Sequence, residues 1–406
     1  MRTPRFLLGW CLAGGVGVAA ASEAWLDRMD EALTWSFADD RVRTRVSGLA
    51  DLEAHLYRYP APSLLESRGD GLLNGRLSLF LDAQVGSKVY LFAQSRLDRG
   101  FDATDRGPQA RGDEYAVRFT PWEDGRFSLQ AGKFATVVGN WVERHLSWDN
   151  PFINAPLVYE HATGIDDGDV HAHLSDFRHR DPAEKYEHLP VLWGPAYASG
   201  FSAAGRIGKF EYALEVKNGG PSSRPEIWSW TDRGMEQPTV AGRVAYRPNP
   251  MWTFGVSGSE GPYLLDEAAS VLPAGRGWDG YRHRLVGQDV KFAWHHLQVW
   301  AEVFESRFQL PLFGDADSLG YYLETRYKLG PRMHVAVRWN QDLYGKIGDG
   351  SGQRVPWSPD LWRIDTAVGF RLTPHMQLKL QHNVLREDFP DRPWAHVTSA
   401  QFTLRF

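Results

Sequence analysis

The chain has 406 residues, 43% of them hydrophobic, and a formal net charge of −5, which leaves room for one large domain or two smaller ones. Mean hydropathy is −0.41 and no long apolar run follows residue 21. That excludes a helical membrane bundle, which needs about 20 consecutive apolar residues per span, but not a membrane β-barrel, whose strands show lipid only every second side chain.

The first residues, MRTPRFLLGWCLAGGVGVAAASEAW, place Arg2 and Arg5 ahead of an apolar run from Phe6 to Ala21, and Ala19 and Ala21 fit an A-x-A cleavage site. Residues 1–21 read as a secretory signal, followed by a periplasmic segment over 22–42. Cys11 is the single cysteine and lies inside that signal, so the mature chain has no thiol for disulfides, nucleophilic catalysis or metal ligation. Trp10, where lipoprotein signals carry a small residue, argues against lipidation at Cys11.

From residue 43 onward the hydrophobic period is two. In LNGRLSLFLDAQV, Leu73, Leu77, Leu79, Leu81, Ala83 and Val85 share one face and Asn74, Arg76, Ser78, Asp82 and Gln84 the other. The same division recurs in KFEYALEVKN and LGYYLETRYKLG. It predicts strands at 43–57, 73–85, 88–98, 113–120, 126–138, 200–207, 209–217, 239–247, 251–260, 284–294, 296–307, 318–329, 332–342, 361–372, 375–386 and 396–406.

Connections between these sixteen segments alternate in length. Tight joints, such as Gly86-Ser87, PWEDG at 121–125, Gly208 and His295, interleave with long polar loops at 58–72, 99–112, 139–199, 218–238, 261–283, 308–317, 343–360 and 387–395. An even number of antiparallel strands with short turns at one end and long loops at the other is what a transmembrane up-and-down barrel requires. A soluble sandwich has no reason to alternate its joints. Phe127, Phe210, Tyr246, Trp252, Trp294, Tyr327 and Phe406 fall near the turn ends, as an interfacial girdle would. In the final HVTSAQFTLRF, Ala400, Phe402, Leu404 and Phe406 alternate with polar residues, which resembles the closing-strand signal of bacterial outer-membrane barrels.

Sixteen strands enclose a lumen too wide for wall side chains alone to fill, so the default expectation is an aqueous channel for small hydrophilic solutes or ions. The long loop 139–199 is where the chain most resembles the sixteen-stranded porins. In that family the third loop folds inward and sets acidic groups across from arginines. The resemblance implies that Arg76, Arg96 and Arg118 face Asp166, Asp167 and Asp169 of GIDDGDV, a transverse field in a narrow gap. It also implies a homotrimer. Arg243, Glu302, Arg326 and Arg338 are further inward positions expected to line the pore. Basic inward groups slightly outnumber acidic ones, so selectivity is expected to be mild.

RFSLQAGKF resembles a strand of the phosphate-selective porins. Lys133 in it has the parity of lipid-facing Leu129 and Ala131, yet a lysine at the bilayer midplane costs about 2–4 kcal/mol. A bulge near Gly132 or an early strand end is therefore expected, turning Lys133 to the lumen. No compact arginine ladder of a dedicated phosphate channel is evident.

Other constellations read as structural. DDGDVHAHLSDFRHR carries His171, His173 and several aspartates, but its spacing matches no metal motif and fits a solvated loop, so no metal or other cofactor is expected. His382 resembles the lipid-face histidine of one barrel lipase family, although LQHNVL lacks the serine two residues on. A lipid-face hydrolase and a plugged structural or adhesive barrel are the alternatives to a porin. Nothing suggests a nucleic-acid partner; outer-membrane lipid is the expected surroundings.

Overall fold

A computed structural model describes residues 24–58, 60–63, 65, 69–98, 107–178, 188–388 and 393–406. The signal assigned to 1–21 lies outside the described residues. The wall is built from β1 (Val42–Tyr57), β2 (Gly71–Val85), β3 (Val89–Asp98), β4 (Gln109–Phe119), β5 (Ser128–Lys133), β6 (Ser199–Ile207), β7 (Phe210–Lys217) and β8 (Thr239–Asn249). It continues through β9 (Trp252–Pro262), β10 (Arg282–Trp294), β11 (Leu297–Leu310), β12 (Gly314–Lys328), β13 (Met333–Tyr344), β14 (Leu361–Arg371), β15 (Met376–Glu387) and β16 (Ala395–Arg405). Each strand pairs antiparallel with the next, and β16 returns to β1 in the register Leu49↔Arg405 to Tyr57↔Val397. Phe406 adds one more rung, its N–H donating to Gly48 O at 3.1 Å. Closure leaves no free edge, the condition for strands to cross hydrocarbon.

Alternation sorts the side chains inside out relative to a soluble domain. Leu73, Val256, Leu323 and Leu380 on the outer face are more than half exposed, whereas Asn74, Glu324, Arg338 and Lys379 on the inner face are fully buried. At the end carrying the tight turns and Phe406, Phe210, Tyr246, Trp294 and Tyr327 stand exposed, with the Phe210 and Tyr246 rings 5.0 Å apart. Residues 24–32 form a helix and Thr34–Phe37 a short strand on the start of β1. Asp27 reaches His375 in the last turn at 2.9 Å and Asp30 reaches Arg45 at 2.8 Å, fastening this segment to the turn end.

Three expectations change. The loop expected over 308–317 shrinks to 311–313, because β11 and β12 pair out to Leu310↔Gly314. β4 starts at Gln109 rather than 113, through a bulge that skips Asp113 between the pairs Gln94↔Glu114 and Ser95↔Gly112. β5 stops at Lys133, five residues short of the expected 138, and Gly132 there has φ 137°. The early stop agrees with the cost of carrying Lys133 further along the wall.

A Cβ at Gly132 would lie 2.2 Å from Tyr115 O and 2.7 Å from Ala116 Cα, in a backbone region closed to other residues. Gly132→Ala is expected to strip the short β5 from β4 at a cost on the order of 1–3 kcal/mol. The urea midpoint for loss of the compact band on unboiled denaturing gels should fall; an unchanged midpoint would show that the kink is dispensable.

Candidate functional site

Between β5 and β6 the chain leaves the wall, and its described residues, 134–178 and 188–198, turn into the barrel. Its path is set by polar groups on successive inner-wall strands. Lys217 Nζ donates to Phe134 O and Ala135 O at 2.7 and 3.0 Å, and Glu215 accepts from Thr136 Oγ1 at 2.7 Å. Glu302 on β11 accepts from the Asn140 N–H and, at 2.9 Å, from Tyr159 O–H. Lys379 on β15 caps the carbonyls of Ser147, Asn150 and Phe152 at 2.7, 3.1 and 2.9 Å.

The centre of this attachment is an alternating chain of charges that begins and ends on the loop. Arg144 contacts Glu324 at 2.6 Å, Glu324 contacts Arg338 at 3.2 Å, and Arg338 contacts Asp365 at 2.7 Å. Asp365 contacts Arg363 at 2.7 Å, and Arg363 closes on Glu160. Arg338 also donates to Asn154 O and Ala155 O at 3.0 and 2.8 Å and lies over the Phe152 ring at 4.3 Å. Buried charges persist only when paired and hydrogen-bonded, and here each one is.

The loop thus fills the half of the lumen against β8–β15 and leaves a gap against β1–β6. A cavity of about 100 Å³ lies between the inner faces of β1–β4 and the loop, its loop side formed by Trp141, Tyr159, Trp193 and Tyr197. His145 and Leu146 border both this cavity and a larger one of about 780 Å³ that extends toward the turn end past Phe92, Gln130 and Arg118. Burial pushes His145 down to about 4, so its ring is neutral at physiological pH. Its nitrogens lie 2.6 Å from Val142 O and 2.6 Å from Tyr197 Oη.

Three guanidiniums and two carboxylates of the wall, Arg76, Arg96, Arg111, Asp51 and Asp113, border the narrow cavity, and Glu53 and Asp98 join the same network from behind them. Arg76 lies 3.1 Å from Glu53, 3.9 Å from Asp51 and 3.7 Å from Asp98. Arg96 pairs with Asp113 at 2.8 Å, and Arg111 with Asp98 at 2.7 Å and Asp113 at 2.8 Å. Most of the charge lies on this wall, facing aromatic rings; the loop side adds Glu160, which Arg363 holds.

Several expected pairings are replaced. Asp167 contacts Arg224 of the fourth loop at 2.7 Å, Asp166 receives the Gly168 N–H at 2.8 Å and Asp169 is exposed, so this acidic trio belongs to the packed loop roof and not opposite the arginines. Glu302 and Arg338 lie under the loop, fully buried, and do not face a water-filled surface. Arg243 of β8 reaches across Gly255 to Asp289 at 2.7 Å, a path that a Cβ on Gly255 would block, 2.2 Å from the carboxylate. Lys133 borders neither cavity; its ammonium donates to Gly112 O at 2.8 Å and lies 3.4 Å from Ser229 Oγ of the fourth loop. Arg118 borders the larger cavity and donates to Gln130 at 2.9 Å; Arg326 donates to Gln298 at 2.8 Å and borders a separate cavity at the turn end.

Arg111, Asp98 and Asp113 complete the charged wall but are absent from the expected set. The bulge at Asp113 shifts parity by one, so counting back from Glu114 in steps of two passes over Arg111. A break in period two within QARGDEYAVRF was the available signal.

Among the described residues no group of three or more His, Cys, Asp or Glu side chains could hold a metal ion. His382 Nδ1 lies 2.9 Å from Thr398 Oγ1 and its Nε2 lies 3.5 Å from His396 Nδ1.

No protein family matches the sequence, and no curated protein is detectably similar to it. Solved structures are similar in fold. The trimer form of OmpT, an outer-membrane protein of Vibrio cholerae, superposes with TM-score 0.56 at 8% identity over 90% of this chain and 100% of that one. An anion-selective porin from Comamonas acidovorans gives 0.54 at 10% identity over 90% and 100%. The outer-membrane channel DcaP of Acinetobacter baumannii gives 0.56 at 9% identity over 91% and 99%. At such identities the similarity establishes the barrel architecture.

Proposed function

We propose that this chain is an outer-membrane porin through which small hydrophilic solutes and ions diffuse passively. The observation that carries the reading is the gap between the inward-folded loop and the β1–β6 wall, where two adjoining cavities share His145 and Leu146 as a border. The turn end then faces the periplasm and the loop end the medium, with the apolar outer belt in lipid. The narrow cavity sets an upper size, and the wall network beside it, three guanidiniums against four carboxylates, favours weak cation preference. The reading is non-catalytic: the hydroxyl bonded to His382 is that of Thr398, without the serine a lipid-face hydrolase needs.

The fold shared with a trimeric outer-membrane protein supports a homotrimer here. Purified protein added to a planar bilayer should give discrete conductance steps, grouped in threes if the trimer holds. Silence from protein that keeps its compact band on unboiled gels would instead favour the plugged barrel.

A further inference from the structure

We infer that the cavity at the turn end, beneath the third loop, is a binding site for a small oxyanion of the phosphate type; it shares Asn150 alone with the narrow cavity, and none of its basic residues borders either cavity of the passage. The cavity itself does not depend on the channel reading; only its placement toward the periplasm does. It measures about 170 Å³ and is bordered by Arg326 and Lys328 of β12, Arg332 of the following turn, His334 of β13 and Arg371 at the end of β14. Trp148 and Asn150 of the loop form its roof. A site for one water takes about 10–15 Å³, so there is room for a tetrahedral anion with part of its hydration.

Its electrostatics differ from those of the constriction. There every guanidinium has a carboxylate partner. Here no carboxylate borders the cavity, and among the described residues Arg326, Lys328, Arg332 and Arg371 form no salt bridge. Arg326 has the side-chain oxygen of Gln298, and Arg371 has the face of Trp148 at 5.2 Å. Of the nearby acids, Glu324 is taken by Arg144 and Arg338, and Asp149 beside Trp148 is exposed.

The roof is fixed independently of any ligand. Lys379 and Gln377 hold Ser147 O from the wall at 2.7 and 3.4 Å, and Arg405 lies over Trp148 at 4.4 Å. Like charges held together without counter-ions repel one another, and a multivalent anion relieves that repulsion more than chloride does. Guanidiniums in addition offer phosphate paired N–H donors.

The test uses full-length protein in detergent at low ionic strength, titrated with inorganic phosphate and followed by phosphorus NMR line broadening and calorimetry. Saturable binding is expected, weakened at least tenfold in an R326Q/R371Q variant and in high salt. A second variant, K328Q/R332Q, alters only exposed residues at the rim and should weaken binding severalfold even if the first fails to fold. Neither variant touches the constriction, so conductance in potassium chloride should stay within about twofold of wild type. Absence of saturable binding, or equal binding by wild type and a folded variant, overturns the site. Protein that conducts without binding phosphate rejects this inference alone, and protein that binds without conducting rejects the channel reading alone.

Discussion

Replacing Arg338 by methionine is expected to free the middle of the third loop and raise single-channel conductance severalfold, with noisier open states. Arg338 is fully buried and joins Glu324 on β12 to Asp365 on β14 while capping Asn154 O and Ala155 O of the loop. Removing one member of a buried charge network leaves its partners undercompensated, at a cost of about 3–5 kcal/mol. Arg144 and Arg363 keep one contact each to Glu324 and Asp365, so the wall can hold while the loop loses its central staple. Because β12, β13 and β14 remain bonded through full ladders, the compact gel band should persist. Wild-type conductance and wild-type thermal stability in R338M would show that the staple does not hold the loop.

The second large effect concerns charge at the constriction. A D98N/D113N variant should move the pore from weak cation preference to clear anion preference, seen as a reversal potential of opposite sign in a potassium chloride gradient. Asp98 and Asp113 between them contact Arg76, Arg96 and Arg111. Neutralising both turns three guanidiniums against four carboxylates into three against two. An uncompensated charge about 7 Å from a passing ion, at an effective dielectric near 40, is worth about 1 kcal/mol, of opposite sign for potassium and chloride. A shift of at least about fivefold in the permeability ratio follows, smaller in high salt. An unchanged reversal potential would place the ion path elsewhere in the barrel.

Why the barrel was legible and the pore less so can be traced to particular residues. Strand ends such as Gly86 and Gly208 mark turns whose positive φ, 59° and 61°, glycine adopts without strain. Strands between them alternate because one face meets hydrocarbon and the other does not, and that rule acts on each residue through its immediate neighbours. Asp113 shows where such a local rule fails. One extra residue in β4 reverses parity beyond it, and only pairing with β3 reveals that Arg111 and Asp113 both reach Arg96's side of the wall.

The sequence by itself determined the sixteen-fold alternation, the two classes of connection and the inward placement of charge, since each depends on spacing along one strand. Only the tertiary structure decided that Glu302, Arg338 and Lys379 hold a loop while Arg76, Arg96 and Arg111 face the gap. Both sets are polar residues at inner-face positions, and apart from Arg111, which the bulge hides, periodicity does not distinguish them. What separates them is the path of residues 134–178 and 188–198, fixed by contacts between positions as far apart as Lys379 and Ser147, and no local pattern encodes those.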